Sequence, residues 1–210
     1  DILTENERLL LRRLSVFTGG WTLEAAEDVC AGDGIDSNDV LDLLTQLINK
    51  SLVVVIEHSQ GRETRYRMLE TIRQYAREKM LEAGGSEIIR HRHLAYFVKL
   101  AEQAEPELYR SNQVFWMKKL DDEIDNLRMA VEWAIANDVE SGLRIATFPW
   151  RFWQVRSHFQ EAGGWLKQLL EQYKITNALH AQALAIHSLC RFRQGDFSES
   201  IALAQQSLEM

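Results

Sequence analysis

Apolar residues recur along the first fifty positions at i, i+3, i+4 and i+7, the spacing that gives a helix one buried face. Leu10, Leu14 and Phe17 form the first stripe, and Thr4 with Glu7 stands ahead of it at capping-box spacing. Gly19 and Gly20 are expected to stop that helix, because consecutive glycines cost the most backbone entropy to hold helical. Thr22 can cap a second, short helix that turns Leu23, Ala26 and Cys30 inward. A polar loop with Gly32 and Gly34 leads to Ser37 or Asn38, either of which can cap a third helix carrying Val40, Leu43, Leu44, Leu47 and Ile48. The period then changes. Residues 52–56 are a continuous apolar run, a polar turn containing Gly61 follows, and residues 64–68 alternate with Tyr66 and Met68 on one face. Three helices and then a β-hairpin is the order of a winged-helix domain. Leu69, Ile72, Ala76 and Met80 predict an amphipathic helix leaving it.

Beyond residue 84 the pattern is helical throughout. Leu94, Phe97, Val98 and Ala101 line one helix that should stop before Pro106, and Leu120, Ile124, Leu127, Val131 and Ala134 line a longer one. The apolar content then turns aromatic (Phe148, Trp150, Phe152, Trp153, Phe159, Trp165), and Pro149 should kink or start a helix there. A repeat organises the rest. Phe159 and Ala162, ahead of Leu166, Leu169 and Leu170, match Phe197 and Ser200, ahead of Ala204, Ser207 and Leu208, at a constant offset of 38 residues. With Gly195 in the preceding turn, these spacings resemble the tetratricopeptide repeat, whose period is about 34, so a longer connection is expected near Thr176 and Asn177. The expected fold is mainly α: a winged-helix domain over 1–83, a helical linker over 84–143, and tetratricopeptide-like repeats over 144–210.

Composition narrows the function. The 210 residues are 46% hydrophobic, ample for a core, and carry a net charge of -7. No uninterrupted apolar segment reaches membrane-spanning length and no signal peptide opens the chain, so a cytoplasmic location and no membrane partner are expected. Cys30 and Cys190 each sit on an apolar helical face and read as buried, reduced thiols. The chain opens on Asp1 and closes inside a helical pattern at Met210, which reads as a piece of a longer protein.

A winged helix first suggests nucleic acid, read by basic and amide side chains of the third helix in the major groove. Here the outer face of that helix offers Asp39, Asp42, Thr45, Gln46 and Asn49, with Lys50 only at its end. Residues 1–83 hold 10 Lys plus Arg against 15 Asp plus Glu, so direct DNA binding by this module is disfavoured. The wing is basic (Arg62, Arg65, Arg67) and Arg73 follows. These four can contact a phosphate of DNA or of a nucleotide, or can be solvated charges paired with Glu63, Glu70 and Glu78. His91 and His93 point to opposite sides of a helix and read as surface residues, and His180 and His187 lie two turns apart, so neither pair makes a metal site. No Gly-rich loop ending in Gly-Lys-Ser/Thr and no activated nucleophile is present, so neither a bound cofactor nor catalysis is expected of this chain. The aromatic cluster has two readings. It is either core between helices, or Trp150, Trp153, Arg156 and Trp165 rim a groove for a peptide or small ligand.

Three segments carry a resemblance: Leu10-Leu-Arg-Arg-Leu-Ser-Val-Phe-Thr-Gly-Gly-Trp-Thr-Leu-Glu-Ala-Ala26, Val40-Leu-Asp-Leu-Leu-Thr-Gln-Leu-Ile-Asn-Lys-Ser-Leu-Val-Val54, and Tyr66-Arg-Met-Leu-Glu-Thr-Ile-Arg-Gln-Tyr-Ala76. Together with Asp125-Asn-Leu-Arg-Met-Ala-Val-Glu-Trp-Ala134, they resemble the middle of bacterial STAND-type signalling ATPases, among them large LuxR-type and antibiotic-regulator-type transcriptional activators. The resemblance implies an upstream P-loop NTPase domain, binding ATP or ADP with Mg2+, against which the winged helix packs. It also implies an inducer or protein partner for the helical repeats. Met68, Leu69 and Glu70 stand where some relatives carry a Met-His-Asp motif whose His approaches the nucleotide phosphate. Leu replaces that His here, which points to apolar packing at the position, with Arg67 or Arg73 as substitutes for the phosphate contact.

Overall fold

A computed structural model describes residues 2–56 and 63–210, and the chain falls into two compact units, Asp1–Tyr96 and Phe97–Met210. The fold is mainly helical, with an N-terminal winged-helix domain followed by a helical region. Residue 83, an expected domain boundary, is the last of a helix, and residues 143 and 144, the other, lie inside one.

The first unit holds α1 (Glu5–Leu14), β1 (Trp21–Thr22), α2 (Leu23–Cys30), α3 (Val40–Asn49), β2 (Val54–Ile56), β3 (Arg65–Arg67) and α4 (Glu70–Ala83). The capping box forms as spelled: the Thr4 amide donates to Glu7 Oε2 (2.6 Å) and the Glu7 amide to Thr4 Oγ1 (3.3 Å). Thr22 caps α2 through the Ala25 amide. α1 ends at Leu14 rather than at the glycines, with Ser15 closing onto the Arg12 carbonyl. The glycines serve a strand that the pattern did not show. Gly20 has φ +116, and a Cβ there would lie 2.7 Å from the Tyr66 carbonyl, so only glycine lets β1 approach β3. The sheet order is β1-β3-β2, antiparallel throughout, with Tyr66 opposite both Trp21 and Val55. α3 is entered through a 3-10 turn (Ser37–Asp39) capped by Asp36, one and two residues before the expected caps Ser37 and Asn38. Beneath the sheet lie Leu10, Leu14, Phe17, Trp21, Val29, Leu44 and Leu47, all almost fully buried. The turn with Gly61, and Arg62 beside it, lie outside the described residues.

α5 (Ser86–Glu107) runs through Pro106 instead of stopping before it. In the last turn a proline forfeits only one intrahelical bond, and the Leu108 amide still closes onto the Ala104 carbonyl. The second unit continues with α6 (Gln113–Asn137), α7 (Val139–Thr147), α8 (Trp150–Val155), α9 (Phe159–Gln172), α10 (Ala178–Arg193) and α11 (Phe197–Leu208). α9 and α11 start 38 residues apart, and α7 with α8 occupies the frame of α10, broken at Pro149. α10 packs on both α9 and α11. The longer connection is residues 173–177, closed by Asn177 capping α10 through the His180 amide.

The turns before α9 and α11 share their geometry: Ser157 has φ 62 where Gly195, 38 residues on, has φ 84. A non-glycine residue in the left-handed region costs about 1–2 kcal/mol, partly offset by the stiffer unfolded chain. Ser157→Gly should therefore stabilise the second unit by about 0.5 kcal/mol, and Gly195→Ala should destabilise it by about 1 kcal/mol, as read from urea midpoints.

Candidate functional site

α3 buries Val40, Leu44 and Leu47 and turns Leu41, Asp42, Thr45, Gln46 and Asn49 to solvent, with Asp39 exposed just before it. Leu41 is 45% exposed, an apolar residue where a groove-reading helix would carry a polar one. The hydroxyl of Thr45 is turned back onto the Leu41 carbonyl (2.9 Å). Lys50, the cation at the end of this helix, donates to the buried carboxylate of Glu7 at 2.5 Å. That hydrogen bond, first among its causes, holds Glu7 below the usual carboxylate range. The recognition-type face is thus acidic and partly apolar, and the lysine at its end is spent on α1.

The two arginines nearest the loop between α2 and α3 are structural. Arg13, 6% exposed, donates to the carbonyls of Cys30 (2.7 Å), Gly32 (2.5 Å) and Asp33 (2.9 Å). Arg92 on α5 donates to the Ala31 carbonyl (2.5 Å) and the Asp33 carboxylate (2.7 Å). Sequence reasoning missed both. Their one signal was a basic residue inside an apolar stripe, which reads equally well as a helix edge.

The basic set around the wing does not converge. Arg65 is 5% exposed within the sheet, Arg73 is bound through two nitrogens to Glu70 (2.9 and 2.7 Å), and Arg67 is exposed at the end of β3. Arg62 lies outside the described residues. Met68 is buried, whereas Leu69 is the N-cap of α4 and 53% exposed. The apolar packing expected of Leu69 is therefore not made within the winged helix, because the extended cap conformation turns the side chain outward. Glu70 accepts from Arg73 and from Gln74 (3.1 Å), which holds its carboxyl below the usual range. No side chain at these three positions is arranged to receive a phosphate.

In the second unit the aromatic cluster is interior. Trp153 is fully buried and Trp165 is 7% exposed, their rings meeting edge to face at 5.5 Å. Trp150 packs on Phe159 at 6.3 Å. Arg156 grips the Asp121 carboxylate, Nε to Oδ1 at 2.7 Å with a second, shorter bond from Nη2. Trp153 and Trp165 are core residues, whereas Trp150 is half-buried and Arg156 is exposed. Of the repeat-packing residues, Ala162 and Ser200 are buried, Phe159 and Ala204 half-buried, and Phe197 58% exposed against Phe192. The Ser188 hydroxyl donates to the Ser200 carbonyl (2.8 Å), tying α10 to α11.

Of the histidines, His91 is exposed but His93 is buried beside Phe17 at 5.3 Å, correcting its reading as a surface residue. Opposite faces of one helix explain the split. His187 is 4% exposed and its pKa is lowered by burial, so the ring is neutral at pH 7. Cys30 and Cys190 are buried free thiols, each pushed up to about 12 by burial. Among the described residues no three His, Cys, Asp or Glu are grouped to hold a metal, and no helix is long and apolar enough to cross a membrane.

This geometry defines the class that the comparisons meet: residues 3–81 match the winged helix-turn-helix domain family. Across the whole chain, the similar proteins include the Putative HTH-type transcriptional regulator Rv0890c of Mycobacterium tuberculosis and its namesake Mb0914c of Mycobacterium bovis. Each is 36% identical over 219 residues, covering 100% of this chain and 24% of the relative. An uncharacterized M. tuberculosis protein, Rv0894, is 40% identical over 89 residues, 42% of this chain and 22% of its own. The chain thus spans about a quarter of the length of these relatives. No solved structure matches it.

Proposed function

We propose that this chain is the non-enzymatic regulatory and sensor segment of a STAND-type transcription regulator. In this reading the winged helix docks on a protein surface, an upstream NTPase domain of the same protein, and the helical region recognises an inducer or partner. The observation that carries it is the outer face of α3: Asp39, Leu41, Asp42 and Gln46 exposed, with Lys50 consumed by Glu7. Phosphates would meet two carboxylates there, whereas a protein surface can cover Leu41 and pair the acids. ATP or ADP with Mg2+ belongs to the NTPase domain in this reading. That placement is supported by Leu69, which has no group for a phosphate, and by Arg73, which is held by Glu70.

The second reading, a DNA-binding winged-helix regulator with a helical effector or dimerisation region, is favoured by the family match, the relatives' names and exposed Arg67. Fluorescence anisotropy with labelled duplex DNA separates the two. At physiological salt the chain should show no sequence-specific binding, and Arg67→Glu with Arg62→Glu should change nothing. Specific binding that falls steeply with salt and disappears in the double variant would establish the second reading instead. Arg65 is left alone because its reversal would disturb the sheet.

A further inference from the structure

A trough of about 500 Å3 lies over the seam where α1 packs on α4, within the first unit. Leu11 and Ala76, both almost fully buried, give it an apolar floor, with half-buried Leu3 beside them. Ile2 and Tyr75, 82% and 56% exposed, stand at its lip. The charged members of the lining are all cations: Arg8 and Arg12 one turn apart on α1, and Lys79 one turn beyond Tyr75 on α4. No carboxylate is among the described residues that line it. Residues 1–83 hold 10 Lys plus Arg against 15 Asp plus Glu, so this is a positively lined strip on a module that is acidic as a whole.

Carboxylates answer two of the three cations, and they do so from outside the trough. Glu5 pairs with Arg8 at 2.6 Å and Glu82 with Lys79 at 2.6 Å, each three residues away on the same helix, and both glutamates are exposed. Glu78, also exposed, adds to the field at Lys79. Exposed pairs within one helix add little to stability, so Arg8 and Lys79 can exchange them for carboxylates offered from above the trough. Arg12 is half-buried, and its guanidinium makes no hydrogen bond or ion pair among the described residues.

The shape selects the occupant. A small ligand is held by a pocket that encloses most of its surface, whereas this trough has an open lip and two helical walls. An amphipathic helix laid along it buries one apolar strip on the floor and sets its flanks against the walls. Cations on both walls call for carboxylates on both flanks. We infer that the trough docks an acidic amphipathic helix, its apolar strip on Leu11, Ala76 and Tyr75, its carboxylates against Arg8 and Arg12 on one side and Lys79 on the other. The surface shares no residue with the outer face of α3, so the inference goes beyond the docking proposed there and does not depend on it.

The probe is a fluorescein-labelled peptide of about 18 residues, with Leu at i, i+4, i+7 and i+11, Glu on both flanks of that strip and Ala elsewhere. The control peptide carries Lys in place of every Glu. Anisotropy titration with the 210-residue chain should give binding of the acidic peptide at least tenfold tighter than of the control. The chain's net charge of -7 favours the control at long range, so the expected preference can come only from local cations. Arg12→Glu combined with Lys79→Glu should weaken the acidic peptide at least tenfold, with the far-ultraviolet circular dichroism unchanged. Tyr75→Ser, at an exposed position, should weaken it independently of charge. Amide chemical-shift changes should gather at Leu3, Leu11, Arg12, Tyr75 and Lys79. Binding no tighter than that of the control, insensitivity to the double variant, or shifts gathered on α3 or in the second unit would each overturn the site. A dimer in sedimentation equilibrium that the double variant abolishes would also overturn it, by naming a second copy of the chain as the occupant. Either failure leaves the reading of α3 intact, since the DNA titration tests that reading separately.

Discussion

Trp153→Ala should destabilise the second unit by about 3–5 kcal/mol, the largest loss expected of a single substitution in that unit. The ring is fully buried, meets Phe152 at 4.9 Å and Trp165 at 5.5 Å edge to face, and packs beside His158 at 6.0 Å. Truncation removes that area from the core and leaves a void that three neighbouring rings cannot close without leaving their rotamers. Trp153→Phe should cost much less, about 1–2 kcal/mol, because it keeps an aromatic ring. It also removes an indole N–H that has no hydrogen-bond partner. Urea denaturation followed by far-ultraviolet circular dichroism measures both. A loss under about 1 kcal/mol for the alanine variant would contradict the placement of the ring as a keystone of α8 and α9.

Arg13→Met should cost the first unit about 3 kcal/mol. The guanidinium answers the carbonyls of Cys30, Gly32 and Asp33 at once, and removing it strands partly buried acceptors at the end of α2. Burial lowers the Arg13 pKa from the usual guanidinium range. Arg13→Lys should rescue little, since one ammonium cannot span three carbonyls held by a planar fork. Arg92→Gln, at a half-buried position on α5 that binds the same loop, should cost only about 1 kcal/mol. Thermal melts of a unit this size should show the methionine variant lower by roughly 10–20 °C. Indistinguishable melts for Arg13→Met and Arg92→Gln would mean that the loop is held by its backbone alone.

The parts that sequence reading found were those governed by local chemistry. Thr4 with Glu7, and Thr22, cap where their side chains and spacing say they should. The repeat at offset 38 was visible because each helix pair solves the same packing problem with an aromatic at its turn and small residues after it. β1 was not visible. Two residues carry no periodicity, and Trp21–Thr22 become a strand only because β3 is there to pair with them. Pairing with Glu70 was one of the two readings of the wing arginines, and Arg73 makes it, but burial of Arg65 is an outcome of packing that charge counting cannot reach.

The sequence by itself determined the helices, their caps, the hairpin and the frame of the repeat, because these follow from backbone hydrogen bonding and apolar period within a few residues. The tertiary structure alone decided which polar groups are spent and which are available. Lys50 meets Glu7 across 43 residues, Arg156 meets Asp121 across 35, and Glu199 is taken by Arg191, while Arg67 is left exposed at the end of β3. The physical reason is that a charge's availability depends on what folding brings within hydrogen-bonding distance of it, and no local pattern encodes that.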